Sequence, residues 1–182
     1  DHVLDPGFTD YTKRALYVAH DVSGQLVAGA NAIGILLGNG WYWMPTPDIW
    51  DFQKASWRGF PRAILQLDVE YADGSRESLV TDASWKWATG PVAFNCLRGG
   101  ETIDLREAPS RWEHPGFDDT SWRRAEVLPA PAGRLVAQRH PPIRAVREIP
   151  PVKLAQPKPG VFVYDLGEHI SGWPRYHKRL GH

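Results

Sequence analysis

Apolar and polar positions alternate most regularly between Leu65 and Asp82, where Leu67, Val69 and Tyr71 are separated by Asp68 and Glu70. Ala72-Asp73-Gly74-Ser75 interrupts the pattern, and Glu77 to Asp82 resumes it. Period-2 alternation broken by Asp-Gly predicts a β-hairpin with one face toward a core. Three other apolar runs read as short strands bounded by Gly, Asp, Asn or Pro: Ala15 to Ala19, Asn31 to Gly38 and Val161 to Gly167. Helical periodicity is weak. Asp118 to Val127 offers one acid-capped turn, but sixteen prolines and seventeen glycines leave no periodic segment long enough for an amphipathic helix. Short strands with turns between them predict an all-β chain, an antiparallel β-sandwich with few or short helices.

Between Pro129 and Pro159 the pattern gives way to Pro-Ala-Pro-Ala, His-Pro-Pro, Ile-Pro-Pro and Gln-Pro-Lys-Pro, the composition of an extended strap or linker. A second element is expected to begin near Gly160. The division that follows is a sandwich over 1–128, a strap over 129–159 and the start of another domain over 160–182.

One stretch fits neither period. Residues 38 to 59, GNGWYWMPTPDIWDFQKASWRG, hold four of the nine tryptophans together with Pro45 and Pro47. Two readings follow: a long loop folded over its own side chains, or a stacking platform for a ligand with flat apolar faces, sugars first among them.

Composition narrows the partners. At 182 residues and 42% apolar content the chain suits one domain, which buries roughly 70% of its unfolded surface. Lys plus Arg and Asp plus Glu each number 21 and form no long like-charge run, so the footprint of a nucleic-acid or anionic-lipid binder is missing. No apolar run reaches the length of a membrane span, and Asp1 to Gly7 lacks the basic start and apolar run of a signal peptide, which leaves the compartment undetermined. The single Cys96 excludes an internal disulfide or a cysteine-based zinc site. Neither a G-x-S-x-G elbow nor an H-x-x-x-H pair occurs, and GILLGNG lacks the Lys and Ser/Thr of a phosphate-binding loop.

Several blocks, in order, carry a resemblance: VLDPGFTDYTKRALYVAHDVSGQLVAGANAIGILLGNGWY, LQLDVEYADGSRESLVTDASWKWATGPV, GGETIDLRE, PGFDDTSWRRAEV and VFVYDLGEHISGW. From about Val3 to Trp173 the chain resembles the non-catalytic N-terminal part of bacterial α-L-rhamnosidases. The resemblance implies a jelly-roll β-sandwich, with YDLGEHISGW opening the next β-sandwich. It also implies, by similarity to family 67 carbohydrate-binding modules, a module that binds L-rhamnose through calcium. The strand pair that precedes VLDPGFTDY in the family is not in the chain, and the ending PRYHKRLGH departs from the family's strand. The sheet is therefore expected to lack early strands and to pair with a second copy as a homodimer or by strand exchange. The catalytic α/α barrel of the family is also absent, so the chain is read as non-catalytic.

Sugar recognition asks for an aromatic face over C–H groups and a few fixed polar groups for hydroxyls. Trp41, Trp43, Trp50 and Trp57 supply the first; Asp10, Asn39, Asp48 and Arg58 supply the second. Calcium takes six to eight oxygen ligands, and Asp10 and Asn39, at strand-loop junctions of the matching blocks, are the candidates. Glu101 and Asp104 lie in another matching block, as a site or a structural network. A carboxylate pair near the Trp-rich loop, Asp48 with Asp51, or Glu101 with Asp104, would be needed for glycoside hydrolysis by the chain itself, the alternative to a binding module. A structural spacer without ligand is the third reading. The remaining tryptophans, Trp85, Trp87, Trp112, Trp122 and Trp173, are assigned to packing.

Overall fold

The computed structural model describes residues 2–130 and 132–175. The chain is all-β: ten strands, three 3-10 turns and no α-helix among the described residues. The strands form five ladders of two strands each, and the chain divides into two compact units, residues 8–138 and residues 1–7 with 139–182.

In the 8–138 unit, β2 (Gln66–Glu70) and β3 (Arg76–Val80) form the hairpin that the alternation predicts, with Leu67 opposite Leu79 and Asp68 opposite Ser78. Five residues, Tyr71 to Ser75, join the two strands, and Tyr71 N–H donates to Ser75 O at 2.9 Å. Gly74 N–H donates to Tyr71 O at 2.9 Å, and Gly74 sits at φ +82°, a type I turn closed by a left-handed glycine. β5 (Val92–Cys96) pairs with β6 (Gly100–Ile103), and β4 (Lys86–Trp87) with β7 (Arg123–Arg124). The acid-capped turn expected over 118–127 ends after Thr120 and Ser121, where β7 takes over. β1 (Arg14–Tyr17) runs parallel to β8 (Arg134–Ala137), the one parallel ladder. Gly133 makes that approach feasible, since a Cβ there would lie 2.4 Å from Arg14 N.

One motif recurs between strands. In Asp10-Tyr11-Thr12, Asp21-Val22-Ser23, Asp73-Gly74-Ser75, Asp82-Ala83-Ser84 and Asp118-Asp119-Thr120, the Asp carboxylate accepts the N–H two residues on, at 2.7 to 3.0 Å. The Thr12, Ser75 and Ser84 hydroxyls donate to the same oxygen. These are Asx turns, and only the one at Asp73 also uses a left-handed glycine, Gly74.

Two expectations are corrected. Residues 31–38 form no strand. Their backbone finds no ladder partner among the described residues, and Leu36 is 81% exposed. The 129–159 stretch is not a plain strap, because it contributes β8 to the first unit and β9 (Lys153–Lys158) to the second. There β9 pairs with β10 (Val161–Asp165) across Pro159-Gly160, so the element expected near Gly160 is β10, entered through a hairpin turn at Gly160 with φ +78°. Val3 also bridges Ile143, and Arg147 pairs with Glu168 at 2.6 Å in that unit. The ending from Tyr176 to His182, part of the 160–182 segment, lies outside the described residues.

Burial is slight. Among the described residues Met44, Asp48 and Cys96 are the buried ones, all in the 8–138 unit and all on or against the Trp-rich loop.

Candidate functional site

The Trp-rich loop closes on itself and on the turn between β5 and β6. Asn39 Nδ2 donates to Asn95 O at 3.0 Å, Thr46 Oγ1 lies 3.0 Å from Cys96 Sγ, and Arg98 Nε lies 2.7 Å from Asp48 Oδ2. Three contacts about fifty residues apart in sequence thus fasten the loop along one turn. Hydrogen bonds from Thr46 and from the backbone N–H groups of Arg98 and Gly99 hold the Cys96 thiol below its ordinary pKa.

Aromatic contacts sort the tryptophans. Phe8 meets Trp41 at 5.2 Å and Trp57 at 5.9 Å between ring centroids, and Tyr11 meets Trp57 at 5.1 Å and Tyr42 at 5.0 Å. Trp43 packs on Phe60 at 4.5 Å. These tilted and edge-on pairs at about 4.5 to 7 Å are packing geometry, so Trp41, Trp43 and Trp57, all half-buried, support the loop. Arg58 threads through them: its guanidinium lies over Trp57 at 4.9 Å and donates to the carbonyls of Phe52 and Trp41. Burial lowers the Arg58 pKa and raises that of Tyr11, while Arg58 keeps its charge.

Trp50 differs from these three. It is 59% exposed, and its closest ring neighbour, Phe52, is 6.3 Å away. The Arg98 guanidinium covers it at 4.2 Å, and its N–H donates to Asp48 Oδ1 at 2.9 Å. The Asp48 side chain is 1% exposed, and its own N–H donates to Gln53 Oε1 at 2.8 Å. The contact with Arg98 is an ion pair without an aligned N–H, which leaves Asp48 Oδ2 buried and short of a hydrogen bond. A buried acid, a half-exposed guanidinium and an exposed indole make a small platform fixed from behind.

The other candidates lie elsewhere or are engaged. Asp10 sits on its exposed Asx turn with Lys13 Nζ 3.5 Å from Oδ2, and the turn hydrogen bonds hold its carboxyl below the usual range. An ammonium at that oxygen competes with a metal ion. The Asn39 amide is oriented by Asn95, and among the described residues neither Asp10 nor Asp48, Glu101 or Asp104 belongs to a group of three His, Cys, Asp or Glu side chains close enough to share an ion. Asp10 Oδ2 and the Asn39 Nδ2 group are thus each engaged by a protein partner, Lys13 and Asn95. Asp104 caps the 3-10 turn Leu105–Glu107 and grips Arg106, which lowers its carboxyl, the direction opposite to that of a general acid. Glu101 is exposed on β6. Asp51 faces Lys54 at 3.0 Å. Sequence reasoning missed Arg98: Cys-Leu-Arg-Gly-Gly reads as a turn, and nothing local announces a partner at position 48.

Comparison with known proteins gives consistent findings. A family model described as the α-L-rhamnosidase N-terminal domain matches residues 1–147. An α-L-rhamnosidase of Streptomyces avermitilis is 39% identical over 93% of this chain and 16% of its own length. One from Formosa agariphila is 36% identical over 95% of this chain and 18% of its own. The chain therefore spans less than a fifth of those relatives. Among solved structures, an α-L-rhamnosidase from Dictyoglumus thermophilum superposes with a TM-score of 0.81 at 43% identity, over 92% of this chain and 18% of that one. The Streptomyces avermitilis enzyme complexed with L-rhamnose gives 0.76 at 35%, over 91% and 16%.

Proposed function

Because the chain belongs to the α-L-rhamnosidase N-terminal domain family, we propose that it is the non-catalytic accessory module of a rhamnosidase-type glycoside hydrolase and holds a saccharide, L-rhamnose or a rhamnoside, against Trp50. The observation that carries the reading is the division among the tryptophans: three are consumed in packing, and one is exposed yet immobilised by Arg98 and Asp48. A sugar needs such a face, because its C–H groups pack on an indole only if the ring does not have to be ordered first. The L-rhamnose in the Streptomyces structure makes rhamnose the first ligand to try.

Calorimetric titration of methyl α-L-rhamnoside into the chain, with tryptophan fluorescence followed in parallel, tests this. Saturable heat that is lost in Trp50→Ala, and unchanged by a chelator, is the expected result. No heat in the wild type would leave a structural spacer and sink the sugar platform. Heat abolished by chelator would restore the calcium reading and redirect mutation to Asp10 and Asn39.

A further inference from the structure

The Trp50 platform is not electrically neutral. Arg98 lies over the ring at 4.2 Å, its side chain is 44% exposed, and its only charged neighbour is Asp48 at 2.7 Å from Nε. Among the described residues the Arg98 guanidinium makes no aligned hydrogen bond to the protein, so both Nη groups keep their donors beside an exposed indole. Asp48 neutralises the charge from the buried side but presents nothing to solvent, since its side chain is 1% exposed. A neutral hydroxyl makes little use of such a fork. A carboxylate matches it in geometry and charge.

We propose that the Trp50–Arg98 pair recognises an acidic saccharide, a pyranoside whose C–H face stacks on Trp50 while its carboxylate accepts hydrogen bonds from Arg98 Nη1 and Nη2. The inference rests on the reading of Trp50 as a sugar platform and adds the ligand's charge. Other nearby cations do not duplicate this role: Lys54 is paired with Asp51, and the Arg58 guanidinium is spent on two carbonyls and on Trp57. The site therefore discriminates through one residue, and Trp50 alone takes neutral and acidic sugars alike.

Two ligands that differ only in the carboxylate isolate the effect: methyl β-D-glucuronide and methyl β-D-glucoside, titrated into the wild-type chain at low and high salt beside methyl α-L-rhamnoside. The glucuronide is expected to bind at least about tenfold tighter than the glucoside, the range of a charge-assisted hydrogen bond, with the difference shrinking as salt screens the half-exposed guanidinium. Arg98→Gln should erase the difference, and Arg98→Lys, which keeps a charge beside Asp48 but loses the planar fork, should reduce it. The salt series needs no variant, so a poorly folded Arg98→Gln does not obscure the answer. If the rhamnoside binds and Trp50→Ala abolishes it, while glucuronide and glucoside bind equally, the acidic preference is wrong and the sugar platform stands. If none of the three binds, both fall.

Discussion

Asp48 and Arg98 are unequal partners, because one is buried and the other is half exposed. Removing Arg98 leaves an uncompensated buried carboxylate, whereas removing Asp48 leaves a cation that water can reach. Arg98→Gln should therefore cost more stability than Asp48→Ala: about 2–3 kcal/mol after discounting for the exposure of Arg98, against about 1–2 kcal/mol for the lost hydrogen bond to Trp50 N–H. Urea midpoints in the reverse order would contradict the assignment. The five Asx turns make a prediction about acid. Hydrogen bonds from the following Ser or Thr hold Asp10, Asp21, Asp73, Asp82 and Asp118 below the free value of 3.8. In the window between each folded value and 3.8 the unfolded chain binds more protons, so this contribution is fully present above 3.8 and is lost as pH falls through the folded values. Asp73→Asn should lower the neutral urea midpoint by that contribution and remove its share of the fall below that pH, so that the two proteins converge in acid. The turn at Asp73 was read from its Asp-Gly pair, whereas Asp10 and Asp118 were assigned to a ligand site and a helical cap, although an Asx turn is made by residues only two apart. The Asp48–Arg98 contact was not legible, since no local rule links positions fifty apart.

At the scale of elements, two glycines serve different ends, and an alanine at each separates them. Gly74 has open space around its missing Cβ but holds φ +82°, so Gly74→Ala meets only the backbone penalty of a left-handed residue, about 1–2 kcal/mol. Gly133 has no such φ; its added Cβ would press on the backbone of Lys13 and Arg14. Gly133→Ala should part β1 from β8 and cost about 1–3 kcal/mol as overpacking. Amide exchange distinguishes the two: Gly74→Ala should speed exchange in β2 and β3, Gly133→Ala in β1 and β8. Equal effects on both ladders would refute the separation. The β2–β3 hairpin was readable because alternation and an Asp-Gly turn agree over one contiguous stretch. The parallel β1–β8 ladder was not, because its strands lie more than a hundred residues apart and β8 hides in a Pro-rich run. The error at 31–38 has a related cause: Asn31-Ala-Ile-Gly-Ile-Leu-Leu-Gly38 has strand propensity, but propensity supplies no partner, and a strand exists only as a pair.

For the molecule as a whole, exposed area decides the behaviour in solution. Within the 8–138 unit three residues are buried, and none of the described residues of the other unit is. Five two-stranded ladders each present two free edges, and a ladder of two strands is marginal unless a third strand or a packed face supports it. A purified chain has a second copy of itself to supply that support. The association expected is strand exchange, in which unpaired segments such as Asn31 to Gly38 add to ladder edges of another copy. Light scattering should then give a mass of at least twice 20.5 kDa, falling on dilution. Lys introduced at Leu36, which is 81% exposed and touches no core, should shift the population toward monomer without loss of the β2–β3 hairpin signal. A single species of monomer mass at high protein concentration, unfolding cooperatively in urea, would show that the chain satisfies its own edges and would overturn the exchange. In a polypeptide of the length of its relatives, of which this chain spans under a fifth, the same edges are open to other parts of the chain, and the Leu36 substitution would then disturb intramolecular docking instead of self-association.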